Sequence, residues 1–148
     1  MSMISIRLFK VESLKFDEID DPPEGEIQVT PDEESEEAGN TYRLRFSAGF
    51  NEDDRSSFAI RFACEVASKD EFKLELEYLA IFEVDEPYDD DFMSGPFVRV
   101  NAPAIAYPYL RAFVSNLTLN CGYEANYLPT VNFQVLYNEE LAADRTTD

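Results

Sequence analysis

Between residues 42 and 82 apolar and polar side chains alternate with a period of two, and this pattern constrains the fold more than any other feature of the chain. Tyr42, Leu44, Phe46 and Ala48 alternate with Arg43, Arg45 and Ser47. Phe58, Ile60, Phe62, Cys64 and Val66 alternate with polar positions that include Arg61 and Glu65, and Phe72, Leu74, Leu76, Tyr78, Ala80 and Phe82 alternate with Lys73, Glu75 and Glu77. Only an extended strand sends successive side chains to opposite faces, so each run predicts a strand with one apolar and one solvated face. The joins Asn51-Glu52-Asp53-Asp54 and Ser68-Lys69-Asp70 are short polar turns, which make these strands antiparallel hairpins. A further strand is predicted at the amino terminus, where Ile4, Ile6 and Leu8 alternate with Ser5 and Arg7. Leu14 and Phe16 continue it after an irregularity near Val11 and Glu12. Four strands with one apolar face need a lid.

The lid is expected after residue 100. Glu83 to Asp91 carries six carboxylates, and Ser94-Gly95-Pro96 is a breaker. Beyond it Ile105, Tyr109, Ala112, Phe113 and Leu117 recur at helical spacing, with Pro103 in the first turn and Gly122 as the C-terminal cap. Pro108 either kinks that helix or begins its main part. Phe133, Leu136, Tyr137 and Leu141 form a second stripe, with Thr130 or Asn132 as N-cap. The predicted fold class is therefore α+β: a four-stranded antiparallel sheet with two C-terminal helices packed on one face. All 148 residues form one domain, with the sheet in 1–100, a helix-loop-helix in 101–143 and a disordered tail in 144–148.

Charge narrows the partners. The formal net charge is −19, from 31 acidic and 12 basic residues, which opposes binding to nucleic acid phosphates or to an anionic membrane surface. Residues 17–41 hold eleven carboxylates, no Lys or Arg, and Pro22, Pro23, Pro31, Gly25 and Gly39, so they read as a mobile acidic loop with a short extended piece at Ile27 to Val29. Arg7 and Lys10 interrupt the apolar amino terminus, which therefore reads as a strand and not as a secretory signal. No run reaches the roughly 18 apolar residues of a membrane span, and the expected location is cytoplasmic. Cys64 and Cys121, far apart in apolar settings, read as two buried reduced thiols.

Catalytic chemistry finds little support. There is no histidine, which removes the commonest general base and metal ligand and every Ser-His or Cys-His nucleophile. Five glycines form no phosphate loop, and no paired cysteines have zinc spacing. Asp89-Asp90-Asp91 lacks the ligand order and turn glycine of a calcium loop and reads as a solvated acidic run. No enzyme, metal or cofactor is expected. What stands out instead is aromatic surface: Tyr107, Tyr109, Phe113, Tyr123, Tyr127, Phe133 and Tyr137 lie within one helix-loop-helix, more than a small helix pair can easily hide.

The same segment carries a resemblance. Pro103, Tyr107-Pro108-Tyr109, Leu110-Arg111, Val114-Ser115, then Leu128, Pro129, Val131-Asn132-Phe133 and Leu136, behind a four-stranded pattern, resemble the SecB family of protein-export chaperones. The resemblance implies a four-stranded antiparallel sheet backed by two helices, and a homotetramer arranged as a dimer of dimers. It implies an ATP-independent holdase that binds unfolded precursor proteins in apolar grooves and passes them to the SecA motor. Carried over position by position, the peptide-binding residues are Tyr107, Tyr109, Phe113, Leu117, Tyr123, Tyr127, Leu128, Val131 and Phe133. The family's acidic motor-binding patch on the exposed sheet face matches Asp17 and Glu75, with Glu77 beside them, while a second family acid is replaced by Ser13. The loop also departs from the pattern, with Gly122-Tyr123-Glu124 in place of a Phe-Pro pair and Leu-Pro-Thr-Val in place of Leu-Ala-Pro-Val. One alternative within the resemblance is a solitary SecB-like chaperone for a dedicated client such as an antitoxin. From another class comes an acidic inhibitor that mimics nucleic acid, against which the placement of the acids in Pro-rich loops argues.

Overall fold

The computed structural model describes residues 3–18, 40–69 and 71–146, and the expected acidic loop with its Ile27 to Val29 piece lies almost wholly outside them. Four strands form one antiparallel sheet: β1 (Ile4–Glu18), β2 (Thr41–Asn51), β3 (Asp54–Ala67) and β4 (Phe72–Val84), in the spatial order β1-β4-β3-β2. The two tight hairpins are those the alternation requires, with Phe46 opposite Phe62 and Phe62 opposite Tyr78. β1 completes the sheet by pairing with β4, so β1 and β2 are its two free edges.

β1 departs from the expected phase. Its register slips at Arg7 and again at Glu12, and each slip inserts one residue that has no partner on β4. A one-residue slip turns every following side chain to the other face. Leu8, expected inside, therefore sits opposite Ile81 on the outer face, and Phe9 takes the inner face opposite Ala80. The second slip restores the phase, so that Leu14 and Phe16 face inward opposite Leu76 and Leu74. Both inserted residues are charged, and both reach ion partners: Arg7 lies 3.4 Å from Glu83, and Glu12 lies 2.9 Å from Arg61 of β3, across the intervening strand. The outer face is solvated as expected, but Lys73–Glu75 (3.1 Å) and Lys15–Asp17 (3.8 Å) pair along single strands. Arg43 and Arg45 make no ion pair among the described residues.

The inner face carries the core, including Phe58, Ile60, Phe62, Val66, Phe72, Leu74 and Phe82, all buried. Its lid begins in the acidic stretch after β4, where a short helix α1 (Asp90–Met93) forms. The Asp89 carboxylate accepts from Phe92 N–H at its start (2.9 Å), and Asp90 binds Arg55 at 2.8 Å. Tyr88 is buried against Phe58 and donates to the Ser57 carbonyl (2.8 Å). This part of the lid was not visible in the charge pattern. A π-helical turn, Phe97–Asn101, then leads into α2 (Ala102–Asn120).

α2 is continuous, with Pro108 in its interior. The ring removes the bond to the carbonyl of Ala104, and both residues are exposed, so water can serve that carbonyl. Ala102, Pro103, Ala106, Tyr107, Leu110, Val114 and Thr118 form its buried stripe. Gly122, at φ 97°, follows the helix in the left-handed conformation of a C-terminal cap. Cys121 beside it is exposed, not buried as its apolar neighbours suggested, because the helix ends there and turns away. Cys64 is buried on β3, and desolvation pushes its thiol pKa up to about 12.

The second helix, α3 (Phe133–Thr146), starts where Asn132 Oδ1 accepts from Val135 N–H (3.1 Å). It runs as far as Thr146, into the tail expected to lack structure. Phe133 anchors it, edge-on to Phe46 (5.2 Å) and to Tyr107 (5.6 Å), whereas Val135, Leu136 and Leu141 are exposed. No helix among the described residues is long and apolar enough to cross a membrane.

Candidate apolar binding site

The nine aromatic and aliphatic residues singled out from the sequence do not line one groove. Tyr107, Leu128 and Phe133 are buried, and this corrects their assignment as surface. Tyr107 lies against Phe62 (6.0 Å) and Phe133 on the core side of α2, because it falls on the same stripe as Leu110 and Val114. Leu128 is pulled inward by the loop around it. The Arg111 Nε donates to the Leu128 carbonyl (3.1 Å), and the Tyr107 hydroxyl donates to the Pro129 carbonyl (2.6 Å). These three residues support the surface from beneath.

The other six are half-buried or exposed and lie in three places. On the β1 side of α2, Tyr109 rests on Phe9 (4.5 Å) and Phe113 on Tyr78 (5.4 Å). Farther along, Tyr123 packs on Phe16 (5.7 Å) and Phe72 (4.9 Å), with Leu117 half-buried nearby in sequence on α2. Tyr109 is 52% exposed, and Val11 (36%) and Leu14 (45%) of β1 remain open although they face the covered side of the sheet. Partial burial, with Glu18 and Glu71 near it, raises the pKa of the Tyr123 hydroxyl, so this ring stays neutral at physiological pH. Of the β1 part of this shelf, Leu14 and Phe16 lie on the alternation read from the sequence, whereas Phe9 and Val11 escaped it because the slip at Arg7 hides which residues face inward. From Phe9 to Phe16 the strand spans about 23 Å, the length of an eight-residue extended segment.

The second place is a cleft of about 560 Å³ beneath the loop that joins α2 to α3, lined by Tyr42, Phe72, Arg111, Asn126, Tyr127 and Leu128 among others. Tyr127 is 69% exposed at its rim. Phe72, buried beneath both, packs on Tyr123 of the shelf and forms part of the cleft wall. A third concavity, of about the same volume, holds Val131 with Val100, Ala104 and Phe133. The shelf offers apolar contact, whereas the cleft is mixed, with Lys69, Glu71, Arg111 and Glu124 beside its rings, so it adds ionic and hydrogen-bonding contacts; no cluster of metal-binding side chains occurs among the described residues.

Of the outer-face acids, Asp17 and Glu75 are each held by a lysine, and Glu77 is exposed without an ion pair among the described residues.

Comparison with known proteins gives one consistent direction. The family model described as preprotein translocase subunit SecB matches residues 20–144. The protein-export protein SecB of Roseobacter denitrificans is 29% identical over 131 residues, which cover 87% of this chain and 70% of that protein. That of Janthinobacterium sp. (strain Marseille) is 30% identical over 88 residues, 60% of this chain and about half (52%) of the relative's length. Among solved structures, a SecB-like chaperone of Mycobacterium tuberculosis in complex with a ChAD peptide from an antitoxin superposes with a TM-score of 0.60. The likeness covers 87% of this chain and 90% of that one at 18% identity, and so speaks for the fold.

Proposed function

From the premise that this chain belongs to the SecB family, we propose that it is an ATP-independent holdase chaperone that binds unfolded polypeptides on the shelf and cleft around α2, without catalysis. The observation that carries this reading is the aromatic surface the chain leaves open, with Tyr109 and Tyr127 more than half exposed and Val11 and Leu14 uncovered beside them. Isolated exposed apolar residues are ordinary, whereas a connected strip of rings rimmed by charge marks a binding surface. A client that buries on the order of 1,000 Å² of apolar area gains roughly 25 kcal/mol gross, much of it lost in ordering the chain, which gives moderate affinity and broad tolerance. The net charge of −19 keeps such a surface soluble and favours clients rich in Lys and Arg.

Precursors destined for Sec-dependent export in the cytoplasm are the clients this reading favours. A homotetramer, built as a dimer of dimers, accords with the two free sheet edges, which invite pairing with a second copy. Docking to a SecA-like motor would use Asp17, Glu75 and Glu77, and the exposed pairs that Lys15 and Lys73 make with two of them are weak enough for a basic partner to replace.

Dilution of a chemically unfolded protein with and without the chaperone, followed by light scattering, tests the main reading. Suppressed scattering without nucleotide supports it, and unchanged scattering at a several-fold molar excess refutes it. Sequencing the polypeptides that co-purify then separates many precursors from a single client. Four copies of 16.9 kDa predict a particle of about 68 kDa in solution.

A further inference from the structure

One buried atom in the cleft has no partner. Tyr107, Arg111, Val114 and Thr118 follow one another at spacings of four, three and four, which keeps them on one side of α2, and three of them tie down the connecting loop. Thr118 is fully buried. Its hydroxyl donates to the Val114 carbonyl (3.0 Å) and accepts the Asn126 N–H (2.8 Å), which draws Asn126 inward until its side chain is also buried. The amide oxygen Oδ1 of Asn126 then meets no donor, and it is the one buried side-chain polar atom in that position among the described residues.

An unpartnered buried carbonyl carries its whole desolvation penalty, whereas an apolar side chain of the same size would carry none. Leu128 and Phe72 line the same cleft, so leucine would suit the surroundings of Asn126. The carboxamide oxygen therefore makes no hydrogen bond within the protein, and it lies beside a cleft of about 560 Å³ from which a donor can approach it. Presenting the oxygen to a ligand requires a turn about the terminal side-chain torsion, which is a soft one.

We infer that Asn126 is a specificity-determining residue whose Oδ1 accepts a hydrogen bond from a main-chain N–H of an extended polypeptide in the cleft. The inference rests on the client-binding reading and deepens it. A binder of varied sequences can rely only on groups that every sequence offers, and the peptide N–H is such a donor. The open ring of Tyr127 then selects apolar side chains, while Asn126 selects backbone in the extended form and rejects a segment whose amide is missing or turned inward.

The test uses a fluorescent ten-residue peptide rich in aromatic and aliphatic residues, together with versions of it N-methylated at one backbone nitrogen at a time. Wild-type chain should bind the parent peptide and lose roughly tenfold in affinity at one position of the methyl scan. Asn126→Leu should bind the parent roughly tenfold more weakly, be indifferent to methylation at that position, and unfold about 2–4 °C higher because the unpartnered carbonyl is gone. If leucine does not fit, Asn126→Ala removes the same oxygen without added bulk and is read by the same methyl scan. A variant that binds the parent like wild type, or keeps the wild-type methyl profile, overturns the role of Asn126 while client binding stands. A wild-type chain that binds no peptide overturns both.

Discussion

Replacing Tyr127 by alanine separates binding from folding more cleanly than any other change on this surface. An aromatic side chain buries about 150–250 Å² when fully covered, and Tyr127 is 69% exposed, so about 140 Å² of it is available to a client. At about 25 cal/mol per Å² this is worth at most about 3.5 kcal/mol to binding, and ordering the ring together with its hydroxyl reduces that to about 1.5–2 kcal/mol. Affinity for an unfolded client should therefore fall roughly 10- to 30-fold. The part already buried is about 60 Å², so the fold itself loses no more than about 1.5 kcal/mol, a few degrees in melting temperature. Tyr109→Ala should weaken binding roughly 5- to 20-fold by the same arithmetic, with a larger loss of stability because its ring leaves Phe9. Fluorescence anisotropy of a labelled, permanently unfolded protein measures the affinity, and circular dichroism melts measure the fold. If both variants bind within twofold of wild type, the open rings are not the binding surface and the reasoning from exposure fails.

Other outcomes follow from the core, the thiols and the turns. Phe62→Ala empties a fully buried site at the centre of the sheet and should destabilise the chain by about 3–5 kcal/mol in urea titration. In the native chain Cys121 alone should react quickly with a thiol reagent, and Cys64 should join it only on unfolding. Cys64 has its thiol pKa raised from 9.0 to about 12 in the folded state, so the unfolded chain loses that proton first as pH rises. Stability is then complete below pH about 9 and declines by about 1.4 kcal/mol per pH unit towards 12, a slope that Cys64→Ala should reduce. Gly122→Ala forces a β-carbon into the left-handed region and should cost about 1 kcal/mol, whereas Gly49→Ala, with open space around it in β2, should be neutral or stabilising.

How much of this was legible beforehand varies along the chain. The hairpins β2–β3–β4 were readable because a period of two across three consecutive runs leaves one way to bury Phe46, Phe62 and Tyr78 together. The Asn132 cap and the Gly122 turn were readable because each depends on local backbone chemistry. The phase of β1 was readable only in part: the irregularity near Val11 and Glu12 was legible, but nothing local marks Arg7 as an inserted residue and only pairing with β4 reveals that slip. Short helix α1 was hidden by its acids, which cap the helix and bind Arg55 when the fold brings that arginine near.

The amino-acid sequence by itself determined the four strands, the two long helices, the covered face of the sheet and the family to which the aromatic segment points, because periodicity, turn residues and motif order are local properties. Which rings stay open is a different kind of fact. Tyr107 and Tyr109 are two residues apart on one helix, yet the first is sealed against Phe62 and the second stands half free on Phe9. Their difference comes from the direction in which α2 lies on the sheet and from the slip in β1. Burial is a relation between surfaces distant in the chain, so only the tertiary structure could divide support from binding surface.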